Sequence, residues 1–138
     1  MHNISDARLA FAWMGTFLSE YIGEFDSLIY ALVVFMVIDY LTGILCGIVS
    51  GKLSSRIGFK GICRKVMIFA LVGIANILDQ YILQTGSVLR TTVIFFYLSN
   101  EGISIIENTT FIGVPVPQKI RQILKQLKDD WQLNLMRW

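Results

Sequence analysis

Histidine occurs once in the 138 residues, at position 2. That scarcity removes the commonest general base, and no nucleophile stands beside another plausible one. No glycine-rich phosphate loop opens a helix, and no group of residues has metal-ligand spacing. An enzyme is therefore not expected, and neither a metal nor a cofactor is implied. Cysteine occurs twice, at Cys46 and Cys63, which excludes a zinc cluster and a disulfide framework; both read as small apolar packers. Charge is scarce as well, at 16% of residues against 54% apolar, with a mean hydropathy of +0.60. Soluble domains carry about 25% charged residues, so this composition belongs to membrane proteins. The start of the chain lacks the charged region, short apolar stretch and small-residue cleavage site of a secretory signal, so an insertion signal is expected to remain in the mature protein.

Long apolar runs are what the sequence has instead. Ser27 to Val49 holds a single charge, Asp39, and is long enough for the roughly 20 residues that cross a hydrocarbon core of about 30 Å. A second run, 66–83, is interrupted in its far half by Asn76, Asp79 and Gln80. Residues 84–87 (Gln-Thr-Gly-Ser) read as a turn. A third run, 88–110, carries Arg90, Asn100, Glu101 and Glu107; as a buried helix of a soluble fold it would lack amphipathic partners to cover it. Residues 7–21 are apolar and aromatic but short for a crossing, which suits an interfacial helix, with a fourth crossing as the alternative. After Gly113-Val114-Pro115-Val116-Pro117, where proline stops a helix, Ile120, Ile123, Leu124, Leu127 and Trp131 recur with helical spacing among Lys119, Arg121, Lys125 and Lys128. That pattern predicts an amphipathic helix lying on headgroups or pairing with copies of itself. The expected fold is an all-α membrane protein with about three transmembrane helices, divided into an N-terminal interfacial segment 1–26, a transmembrane part 27–110 and an amphipathic cytoplasmic tail 111–138.

The charges set an orientation. No acidic residue lies between Asp39 and Asp79, yet Lys52, Arg56, Lys60, Arg64 and Lys65 all do. The positive-inside rule places this basic loop and the basic tail in the cytoplasm, with the acidic N-terminus and the turn near Thr85 outside. These lysines and arginines already have a topological role at a membrane surface, so nucleic-acid binding is not expected.

Two sets of residues draw attention inside the spans. Gly43, Gly47 and Gly51 follow Asp39 at steps of four, the spacing that lets two helices approach closely in lipid, within one chain or between copies. Asp39, Asn76, Asp79, Asn100, Glu101, Ser104 and Glu107 place polar groups at membrane depth. Such groups are costly there and face partners or water. No basic residue is expected in mid-span to neutralise them; Arg90, near an outer end, is within reach of Asp79. Helix-bundle hydrogen bonding, a water-lined passage and a proton relay are the alternatives.

The segments Val37-Ile38-Asp39-Tyr40-Leu41-Thr42-Gly43, Lys52 to Gly61 and Arg64-Lys65 resemble the phage lysis and toxin-secretion holin family. So do Arg90-Thr91-Thr92, Asn100 to Asn108 and Gly113 to Pro117, in the same order. The resemblance covers roughly residues 27–128. It implies a homo-oligomer in the bacterial cytoplasmic membrane that opens lesions at a programmed time, releasing an endolysin or a toxin as cargo rather than holding it as a partner. The competing expectation is a small ion channel or transporter subunit using the intramembrane acids, although no inverted repeat is present. A second start at Met14, which would remove Asp6 and Arg8, is a further expectation.

Overall fold

The computed structural model describes the backbone of residues 2–136, and it is helical throughout apart from short connections. The side chains of Trp131, Gln132 and Asn134 to Met136 lie outside the described residues, as do Arg137 and Trp138. The expected place of Trp131 on the apolar stripe therefore falls outside the description. Five α-helices follow one another: α1 His2–Ile22, α2 Ser27–Ser50, α3 Ser55–Ile77, α4 Val88–Ile112 and α5 Gln118–Met136. A π-helical turn, Leu78–Leu83, extends α3.

The helix boundaries have local causes. Asp26 caps α2, its carboxylate accepting from the Ile29 N–H at 3.0 Å. At the far end Gly51 adopts φ +71, which glycine tolerates without steric cost, and its N–H and that of Lys52 close onto Ile48 and Gly47. Ser54 then caps α3 through the Ile57 N–H at 3.2 Å. This corrects the basic loop of the sequence reading: only Lys52 lies in the connection, while Arg56, Lys60, Arg64 and Lys65 belong to α3. The start of α4 is capped from another element, the Asp79 carboxylate accepting the Leu89 and Arg90 N–H groups at 3.0 and 2.7 Å. Gly113, at φ +98, ends it.

The centre is a small apolar cluster of Ile29, Leu32 and Met36 from α2, Ile68 and Val72 from α3, and Ile94 from α4. Most of the remaining apolar surface points outward. In the apolar window of α2 only 11% of residues are buried within the chain, and in that of Ser55–Leu83 only 33%. A core helix of a soluble protein would be covered; here Val37, Leu41, Leu45, Ile48 and Val49 stand exposed along α2. A surface of that kind needs lipid or another apolar partner. These two helices are long and apolar enough to cross a bilayer, and α4, with Arg90, Glu101 and Glu107, is not apolar enough by the same measure.

The two terminal helices differ from expectation. The N-terminal helix begins at His2 and has 21 residues rather than about 15. Residues 3–20 are exposed, and α1 meets the bundle only at its end. There the Tyr21 ring fills the space beside Gly73 that a Cβ would need, and its hydroxyl donates to the Ala70 carbonyl at 2.8 Å. The tail helix α5 folds back along α4, where Leu124 seats against Gly102 and an Arg121 guanidinium nitrogen donates to the Thr110 hydroxyl at 3.2 Å.

Candidate membrane-depth polar site

Asp39, Lys65 and Glu101 come from the middles of three different helices and meet at one point. The Lys65 Nζ donates to the Asp39 carboxylate at 2.9 Å and to the Glu101 carboxylate at 2.7 Å. The three side chains are 17%, 14% and 8% exposed. This overturns the expectation that no base lies in mid-span. Lys65 reads as a loop residue in the sequence, but α3 starts eleven residues earlier than the apolar run and carries it to the level of the acids. Two carboxylates share one ammonium, so the cluster carries one net negative charge when all three are ionised.

Asn108 extends it, donating to the Asp39 side chain at 3.2 Å and to the Thr42 hydroxyl at 3.0 Å. The Cys46 thiol donates to the Asn108 carbonyl at 3.3 Å, so this cysteine is more than an apolar packer. Cys63 is exposed, and neither cysteine forms a disulfide. Asn100 and Ser104 stand with the triad around a cleft of about 260 Å³, whose other wall includes Gly43, Gly58 and Gly61. Glu107 lies apart and exposed.

The glycine stripe serves three separate purposes. Gly43 faces the Asn108 amide, Gly47 is covered by Leu53 of the same chain, and Gly51 lies beyond the helix as its left-handed cap. Gly102, which the sequence did not single out, is covered more tightly than any of these three: a Cβ there would stand 2.9 Å from a Leu124 methyl.

A second polar cluster fastens the other end. The Arg90 side chain is buried, its Nε donating to the Ile22 carbonyl at 2.7 Å, one terminal nitrogen to Asp26 at 2.9 Å and the other to the Glu24 carbonyl at 2.9 Å. Arg90 thus reaches Asp79 only through its backbone, and its guanidinium holds the α1–α2 connection. Burial alone would raise the Asp26 carboxyl pKa; the Arg90 hydrogen bond, the Ile29 N–H and the Arg90 charge outweigh it and hold the group below its ordinary 3.8. Asn76 donates to the Glu20 and Tyr21 carbonyls, closing the end of α1. Among the described residues no buried side-chain nitrogen or oxygen lacks a partner, and no group of histidine, cysteine and acidic residues is placed to hold a metal.

Comparison with known proteins shows the family of the chain. The profile of the bacteriophage holin family matches residues 16–129. The chain belongs to that family. Holins are non-enzymatic membrane proteins, and the apolar faces of α2 and α3 fit transmembrane segments of such a protein. An uncharacterized protein of Clostridium perfringens (strain 13 / type A) is 40% identical over 122 residues, covering 88% of this chain and 90% of that one. A probable holin of Bacillus phage phi105 is 38% identical over 76 residues, 55% of this chain and 56% of that protein. An uncharacterized 14.9 kDa protein from the nagH 3′ region of Clostridium perfringens is 43% identical over 75 residues, so the chain spans about 57% of its length. No solved structure matches.

Proposed function

We propose that this holin accumulates in the bacterial cytoplasmic membrane, oligomerises, and at a set time opens lesions through which an endolysin or toxin leaves the cytoplasm. The observation that carries the reading is the combination of family membership with a largely apolar outer surface around a charge cluster at the middle of three helices. One chain covers little of its own apolar window, so association of copies has ample surface to use.

Three crossings, by α2, α3 with its π-helical turn, and α4, are part of this reading, and the packing supports them. α4 packs on both α2 and α3, and its 25 residues reach about 37 Å at 1.5 Å per residue, enough to span. Its charges are accommodated: Arg90 by the α1–α2 connection and Glu101 by Lys65. The acidic α1–α2 connection then lies outside and the Gly113–Pro117 turn inside, since Lys52, Arg56, Lys60 and Arg64 gather at one end and Glu20, Glu24 and Asp26 at the other. An ion path through Asp39 and Glu101 fits less well, because both acids are held by the same lysine rather than left free along a passage.

The test is co-expression in a bacterium with a cytosolic murein hydrolase that has no export signal. Abrupt lysis is expected only when both proteins are present. Continued growth with the holin abundant in the membrane would defeat the reading.

A further inference from the structure

Helix α5 is the most strongly amphipathic in the chain, and its position is unusual for a tail expected on a membrane surface. The Gly113–Pro117 turn reverses the chain, and α5 runs back along α4 until Leu124 reaches Gly102. Gly102 lies ten residues inside α4 from Ile112, about 15 Å along the axis, beside Glu101 and level with the lysine-centred triad. The seat is specific, since any side chain at position 102 would collide with Leu124 and crowd Phe35. Leu124, Leu127 and Lys128 are half-buried, whereas Lys119, Gln122, Lys125, Gln126 and Asp129 are exposed on the side away from α4, with the apolar Ile120, Ile123 and Leu133 exposed as well.

A face of that composition at membrane depth cannot rest against hydrocarbon. Of the polar groups on the other helices, Asp39 and Glu101 are held by Lys65, Asp79 by the α4 backbone and Asn76 by the end of α1, while Asn100 and Ser104 line the cleft beside the triad and Glu107 is exposed nearer the end of α4. The long polar surface left over is the outer side of α5.

We infer that α5 stays docked on α4 in the open lesion and that its outer polar face lines the aqueous passage, opposite the α5 helices of neighbouring copies. This rests on the holin reading and assigns the lining to the tail rather than to the acids of the spans.

The test uses the full chain in lipid vesicles with an entrapped dye, in a background where Cys46 and Cys63 are serine. Gly102→Cys combined with Leu124→Cys ties α5 to α4 when oxidised. The oxidised protein is expected to release dye within about twofold of its reduced form. Release that rises tenfold or more on reduction would mean that α5 must leave α4, and would overturn the assignment. In parallel, Gly102→Leu removes the seat and is expected to lower release at least tenfold while the protein still inserts; unchanged release would also overturn it. If this variant fails to insert, the oxidised pair decides, because its reduced form is its own folding control. No release from any of the proteins, the unsubstituted chain included, would remove the holin reading and this inference together. Failure confined to the oxidised pair removes only the placement of α5.

Discussion

Replacing Lys65 by methionine keeps the length of the side chain and removes the only cation on two inward carboxylates. Removing one partner of a buried ion pair costs about 3–5 kcal/mol, because the remaining charge stays uncompensated. A second route gives the same size. To escape that penalty at pH 7 an ordinary carboxyl must take up a proton, which costs about 4 kcal/mol at 1.36 kcal/mol per pH unit. Both contacts are short, at 2.9 and 2.7 Å, and all three side chains are less than one-fifth exposed, so solvent screening weakens the argument little. Lys65→Met is therefore expected to lose about 3–5 kcal/mol of unfolding free energy in mild detergent, read from denaturant titrations followed by circular dichroism. Adding Asp39→Asn and Glu101→Gln should recover most of that loss, since no buried charge then remains. A loss below about 1 kcal/mol, the range of exposed pairs, or no recovery in the triple variant, would refute the triad as a structural lock.

Arg90→Met should free the α1–α2 connection and destabilise the protein by about 3 kcal/mol, as loss of a buried charged hydrogen-bond donor does; equal unfolding midpoints would count against the staple. The Asp26 carboxyl is held below its ordinary pKa of 3.8, so its contribution is present above that pH and disappears as pH falls through the lowered folded value. An acid titration of stability should therefore lose a step in Asp26→Asn relative to the unsubstituted chain, and identical titrations would contradict the pairing. Gly73→Leu should expel the Tyr21 ring and detach the end of α1 at a cost of about 1–3 kcal/mol, seen as faster proteolysis after residue 22; an unchanged digestion pattern would speak against the contact. Gly51→Val forces a β-branched residue to φ +71 and should cost about 1–3 kcal/mol, whereas a stripe used only between copies predicts no change in monomer stability.

The apolar run behind α2 is legible because 24 residues with one charge are long and apolar enough to cross a bilayer. The start of α3 is harder, since hydropathy falls among the basic residues. A helical signal is nevertheless present: Arg56, Lys60 and Arg64 recur at steps of four, and Ser54 precedes them as a cap. Once the helix is extended, Lys65 falls one residue aside from that face and turns toward the acids. That it meets both Asp39 and Glu101 depends on how three helices pack, which spacing along one helix cannot express. The same holds for Arg90, whose guanidinium finds two carbonyls and the Asp26 carboxylate of a connection 64 to 68 residues away, and for Gly102, whose partner Leu124 is brought near only by the reversal at Gly113 to Pro117. The amphipathic pattern of α5 is plain in the sequence, but periodicity identifies an apolar face without saying what covers it.

The measurement that bears most directly on the holin reading is release from sealed vesicles holding both a small dye and a folded enzyme, with the purified protein reconstituted at rising density. The account predicts that above a threshold density both cargoes leave together. Escape of ions or dye alone at every density, with the enzyme retained, would contradict it.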